Sequence, residues 1–191
     1  KKIRNKWLFE FSRDEKNLLN KNKKIIIVSS GAIAMGCKKL NLSKKNLKLE
    51  KSQAVASVGQ IELMNLFNKN FLKNKINISQ ILLTLEDTEQ RRRALNAKRT
   101  FENLFELGFV PIVNENDSTA TTEIKYGDND RLASRVAQIS GADVLVLLSD
   151  VDGLYTSNPK LNKNVELIKE IKDIDKNIEN IATKSNGEHG T

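Results

Sequence analysis

The chain has 191 residues, 39% hydrophobic and 29% charged, enough apolar material for one globular domain with a sizeable core. Its formal net charge of +8 raises a nucleic-acid partner, but the excess is mostly lysine spread among asparagine and isoleucine, and aromatics at 5% do not interleave with it as a stacking surface needs. One cysteine, Cys37, rules out an internal disulfide, and with a single histidine, His189, it argues against a zinc site.

Apolar stretches such as Ile25–Val28 and Val144–Leu148 are of strand length, too short for a bilayer. Lys1 to Arg4 leads into no apolar signal region, so a reducing cytoplasm is the expected setting, with no membrane partner.

In chain order, Trp7 to Asn20 has the spacing of an amphipathic helix, anchored by Trp7, Phe11, Leu18 and Leu19. Ile25–Val28 reads as a strand, Gly31 to Leu40 as a loop and short helix, and Ser52 to Lys73 as a long helix with Val55, Val58, Ile61, Leu63, Leu66 and Phe67 apolar. Ile78–Leu83 reads as a strand. Arg91 to Leu107 is helical, and Gly108 stands where a helix ends. Phe109–Val113 is a strand, Asp130 to Ser140 a helix ending near Gly141, Val144–Leu148 a strand, and Val165 to Ile181 a strand end and a helix. Apolar strands separated by helices predict a mainly parallel sheet covered on both faces, an α/β three-layer αβα sandwich. Scarce proline and no linker predict one domain over residues 1–191.

Ligands in such sheets sit beyond the carboxyl ends of the strands. Short polar residues cluster there: Ser29 and Ser30 after one strand, Asn114 to Asp117 after another, Ser149 and Asp150 after a third. The densest run is FVPIVNENDSTATTEIKYGDND, Phe109 to Asp130. It carries two polar clusters about a dozen residues apart and predicts one loop clamping a small polar ligand. Asn and Asp together supply donors and acceptors, as the ammonium and carboxylates of an amino acid require. Capping and turn chemistry accounts for one acidic residue at the start of that helix. It does not account for Asp128, Asn129 and Asp130 together with Asn114, Asn116 and Asp117.

In IIIVSSGAIAMG, Ile25 to Gly36, Ser30 and Gly31 let a ligand approach the backbone, and the following helix offers free N–H groups to an anion; an ordinary tight turn explains the same residues. Neither a Walker A loop nor GxGxxG is present. Gly59 in ASVGQIELM reads first as close helix packing, and second as part of a helix lining the pocket. LLSDVDGLYTSNP, Leu147 to Pro159, reads as a strand and turn or as a nucleotide-side loop. Cys37 reads as a small buried residue, and His189 carries no role.

Taken in order, VSSGAIAMG, ASVGQIELM, QILLT, FVPIVNENDSTATTEIKYGDND and LLSDVDGLYTSNP resemble the glutamate 5-kinases of the amino acid kinase superfamily over nearly the whole chain. The resemblance implies ATP- and Mg²⁺-dependent phosphorylation of the side-chain carboxylate of L-glutamate, the first step of proline synthesis. It implies glutamate binding by Ser30, Asp117 and Asn129, with Gly31, Asn114 and Asp128 in the same pocket. Ser149 and Asp150 match an ATP-binding pair, and Asp130 an acidic organiser of the catalytic lysines. It assigns no residue of this chain to a metal. It further implies a homo-oligomer, with proline as a feedback inhibitor acting through the loop Asn114 to Asn129.

Members of the family begin with a strand of the form VVKxGSS and carry GTGGMxTK. Here Lys1 stands after the first, and Gly190–Thr191 match the opening of the second. The expectation is therefore a kinase domain truncated at both ends, without an RNA-binding-type C-terminal domain, that binds glutamate weakly and transfers phosphate poorly. The rival readings are another amino acid kinase, acting on aspartate, acetylglutamate or carbamate, and a non-catalytic amino-acid sensor of the same fold. A nucleic-acid-binding module ranks last.

Overall fold

The strand-and-helix alternation is realised as a three-stranded, all-parallel sheet with helices on both faces. The computed structural model describes residues 4–45, 47–120, 128–149, 152–157, 162 and 165–183. The segment 121–127, Asp150 and His189 lie outside the described residues. Strands β1 (Ile27–Val28), β2 (Asn77–Leu83) and β3 (Phe109–Glu115) stand in the order β1-β3-β2. Register runs from Ile27 opposite Ile112 on one side of β3 to Leu83 opposite Glu115 on the other.

Side-chain alternation sorts the core into two layers. On one face, Ile76, Val110 and Ile112 meet α1 (Asn5–Leu19) and α3 (Leu49–Phe71) through Leu8, Leu63, Phe67 and Phe71. On the other, Leu83 and Val113 meet α5 (Arg91–Glu106) and α6 (Asp128–Ser140) through Ala97, Phe101, Leu132 and Val136. The expected αβα sandwich is present.

Helix α2 (Ala32–Lys39) crosses α3 at backbone contact distance. A Cβ on Gly36 would overlap the Val55 carbonyl, and one on Gly59 would overlap the Ala32 carbonyl and the Gly36 nitrogen. The packing account of Gly59 therefore holds, and Cys37 is buried beside the crossing. After α5, Gly108 at φ +75° turns the chain into β3.

Several expectations need correction. Strand β1 is two residues long, shorter than Ile25–Val28. Strand β3 runs two residues past Val113, because Asn114 and Glu115 pair with Leu82 and Leu83 of β2. Helix α1 buries Leu8, whereas Trp7 (stacked on Phe11) and Leu18 are exposed. A short helix α4 (Leu85–Glu89) follows β2, opened by a reciprocal cap: the Thr84 hydroxyl accepts from the Asp87 N–H, and the Asp87 carboxylate accepts from the Thr84 N–H.

The largest departure is Val144–Leu148, which forms no strand and whose five apolar side chains are all exposed. A run apolar at every position needs a neighbouring strand and cover on both faces. Among the described residues no strand pairs with it. Farther on, Tyr155 and Leu167 form an isolated antiparallel bridge, and α7 (Lys176–Thr183) is the helical part of 165–181.

Candidate functional site

The carboxyl ends of all three strands point the same way, and the polar residues that follow them converge. Beyond β1, Ser29 continues the pairing through its N–H to the Val113 carbonyl at 2.8 Å. Ser30 is exposed, and Gly31 caps α2 at φ +113°, a left-handed conformation that a side chain would strain. Beyond β3, the chain folds at once into a tight turn. The Asn116 N–H donates to the Leu83 carbonyl at 3.0 Å, tying the turn to β2, and the Ala120 N–H returns to the Asn116 carbonyl. Gln53 of α3 clamps the far end, its Nε2 donating to the Ala120 carbonyl at 3.0 Å.

The first turn of α6 closes on this platform. Asn129 Nδ2 donates to the Ser29 carbonyl and, at 3.1 Å, to Asn114 Oδ1. Asn114 is 2% exposed, and its Nδ2 donates to Gln60 Oε1 of α3 at 2.7 Å. The two polar clusters of the Phe109–Asp130 run are thus brought together, and Asn129 ties them to the end of β1.

Gln60 also lines a pocket of about 170 Å³ with Ala56, Gln80, Asn116 and Asp117. That volume lies below the roughly 300–1,000 Å³ typical of sites for drug-sized ligands. Burial pushes the Asp117 carboxyl up to about 6, and no cation shares its surroundings among the described residues. A carboxylate held this way is primed for a cationic partner, which would favour its ionised form.

The other expected residues fall as follows. Asp130 lies in the first turn of α6 with its side chain exposed, and its carbonyl accepts the Ser134 hydroxyl. Asp128 opens α6, its side chain outside what is described. Ser149 is exposed and directly follows the run Val144–Leu148, and Asp150 lies outside the described residues. Gln53 and Gln60 escaped the sequence reading, and Ser29 takes part through its carbonyl rather than its hydroxyl. For Gln60 a signal existed: it is a polar residue on the buried stripe of α3, four residues after Ala56 and three before Leu63.

The described residues contain no group of three or more His, Cys, Asp or Glu suited to a metal ion. A Mg²⁺ ion accompanying a nucleotide would rely on phosphate oxygens for much of its shell, as such ions commonly do. No helix among the described residues is long and apolar enough to cross a membrane. The basic run is partly structural, since Arg93 pairs with Asp87 at 2.8 Å beside the α4 cap.

The chain is 80% identical over 191 residues to a protein named glutamate 5-kinase from Pelagibacter ubique (strain HTCC1062), covering all of this chain and 52% of that one. It is 51% identical over 180 residues to the glutamate 5-kinase of Rhizobium leguminosarum bv. trifolii (strain WSM2304), covering 94% of this chain and 46% of that one. The chain therefore spans about half the length of the curated relatives it matches. Among solved structures, the T. acidophilum isopentenyl phosphate kinase product complex superposes with a TM-score of 0.58 at 17% identity, over 88% of this chain and 71% of that one, a likeness of fold alone. The family model described as the amino acid kinase family matches residues 5–190, and the chain belongs to that family.

Proposed function

We propose that the protein containing this chain transfers the γ-phosphoryl group of ATP to the side-chain carboxylate of L-glutamate. The observation that carries the reading is the Asn129–Asn114 hydrogen bond, which ties the first turn of α6 to the carboxyl end of β3, three residues before Asp117 in the chain. The names of the relatives at 80% and 51% identity support it.

In the reaction, a side-chain carboxylate oxygen attacks the γ-phosphorus. The bond from that phosphorus to the β,γ-bridging oxygen breaks, and its electron pair leaves with ADP, giving glutamyl 5-phosphate. No proton moves, because a glutamate carboxyl with a pKa of about 4.3 is already ionised at neutral pH. The difficulty is bringing two anions together, so catalysis consists of positioning and charge neutralisation. Asp117 takes the substrate ammonium. Ser30, the backbone at Gly31, Asn114, Asp128 and Asn129 hold the rest of the amino acid. Ser149 and Asp150 are assigned to the nucleotide, whose Mg²⁺, when bound, would supply charge neutralisation at the phosphates, and Asp130 is assigned to organising cationic side chains near the transferred group.

The same reading puts the enzyme in the cytoplasm at the first step of proline synthesis, as a homo-oligomer that proline inhibits through the 114–129 loop. The test is ATP-dependent trapping of the acyl phosphate by hydroxylamine, using the full-length protein that carries this sequence. Glutamate is expected to give hydroxamate, and aspartate, N-acetylglutamate and carbamate are not. A preference for one of those three would replace the substrate. Amino-acid binding with no turnover would make the protein a sensor.

A further inference from the structure

Gln60 has no role in the reading above, yet it joins the two parts of the site. Its side chain is nine-tenths buried, bonded to Asn114 at one end and lining the Asp117 pocket. The orientation of its amide follows from a one-way chain of donors and acceptors. The Ser29 carbonyl can only accept, so Asn129 must turn its NH₂ toward it. That same NH₂ meets Asn114, which must answer with its oxygen. The NH₂ of Asn114 then faces Gln60, which must answer with Oε1. Gln60 Nε2 is left as a buried donor with no partner among the described residues. Protein interiors seldom leave such a group unanswered, so a ligand or an ordered water is expected to meet it.

We infer that Gln60 Nε2 donates to the α-carboxylate of the amino-acid substrate and so selects for substrates that carry one. The inference rests on the pocket being the glutamate site. Its chemistry follows from the neighbours. An amide N–H seeks an acceptor, whereas Asp117 in the same pocket seeks a cation. The only pair of such groups on one carbon of an amino acid is its α-carboxylate and α-ammonium. Engaging both there leaves the side-chain carboxylate, at the far end of the molecule, to face the phosphate donor.

The test uses the full-length protein and two variants. Gln60→Glu keeps an acceptor for Asn114 and replaces the Nε2 donor with oxygen. Gln60→Met removes both without adding charge. Each is assayed with L-glutamate, and with 4-aminobutyrate, which has the amine and the terminal carboxylate but no α-carboxylate, as substrate or competitive inhibitor. The KM for glutamate is expected to rise about 10- to 100-fold in both variants, the size of a lost hydrogen bond to a charged group. The kcat, the KM for ATP and the inhibition constant of 4-aminobutyrate should stay within about threefold. Equal weakening of glutamate and 4-aminobutyrate, or a fall in kcat at constant KM, would overturn the inference, since either would mean that Gln60 only supports the fold around Asn114. A wild-type protein with no glutamate kinase activity would instead overturn the underlying reading, and this inference with it.

Discussion

Residues 27–120 and residues 143–149 carry equally apolar strand sequences and come to different ends. Ile112 and Val113 of β3 are 1% and 0% exposed, between two paired strands and two helical layers. Val144 and Val146 are 74% and 69% exposed, with no strand beside them among the described residues. Composition is nearly the same in the two places, so what differs is the supply of neighbours. The proposed amino-acid side of the site belongs to the first region together with α6, and is held by a continuous set of hydrogen bonds from Ser29 through Asn129 and Asn114 to Gln60. The proposed nucleotide side, at Ser149, belongs to the second.

The sharpest way to break this comparison is to cut side chains from both regions of the 191-residue chain. Phe101 is 1% exposed and fills the layer between β3, α5 and α6. Phe101→Ala should cost about 3–5 kcal/mol in urea unfolding. That is a large share of the roughly 5–15 kcal/mol by which domains are stable. Val146→Ala should change stability by no more than about 0.5 kcal/mol, as exposed positions do. Comparable losses at the two positions would mean that 144–148 is buried in solution. A Val146→Ala loss of about 1 kcal/mol or more that emerges only in the longer protein would show that further chain covers this run there.

The same contrast explains what could be read without coordinates. Helices α3 and α5 and strands β2 and β3 were legible because their apolar spacing is a local property. Helix α4 left a local trace too, in Thr84 and Asp87 at capping-box spacing, but it is only five residues long. The placement of Asn114 and Glu115 inside β3 was not legible, because strand length is set by pairing with Leu82 and Leu83, some thirty residues earlier in the chain. Val144–Leu148 failed for the complementary reason: its residues specify a strand, and a strand needs a partner. At the site, residue types pointed to Asn114, Asp117 and Asn129. The bonds among them, and the part of Gln60, depend on how α3 lies over the sheet.

A smaller effect is expected at the α2–α3 crossing, where the ordered region is tightest. Gly59→Ala would press its new Cβ into the Ala32 carbonyl, so α2 must move. Overpacking of this kind costs about 1–3 kcal/mol. Since α2 starts at the Ser30–Gly31 turn, the displacement should reach the site and raise the KM for glutamate more than the KM for ATP. Unfolding and steady-state kinetics on one preparation check both. Wild-type kinetics with lowered stability would mean that the crossing carries packing alone.

The smallest effect concerns Asp117, where order has been bought at some electrostatic cost. Burial raises its carboxyl from 3.8 to about 6, so between those values the folded chain binds more protons than the unfolded one. Stability from this group is therefore fully present at low pH, is lost as pH rises through about 6, and stays level above. Asp117→Asn should leave stability unchanged near pH 4 and raise it at pH 7.5 by about 1 kcal/mol, less than the full shift implies because the carboxyl is partly exposed and water screens it. Ligand binding carries the opposite sign. A substrate ammonium favours the ionised carboxylate, so glutamate should bind more tightly as pH rises through about 6, and Asp117→Asn should remove that dependence along with most of the affinity. Urea unfolding at the two pH values, paired with calorimetric titration of glutamate, reads both signs. A variant more stable at neutral pH yet unable to hold glutamate would show that the ordered region gives up stability at its functional carboxylate. The exposed run at 144–148 contains no titratable group that could do the same.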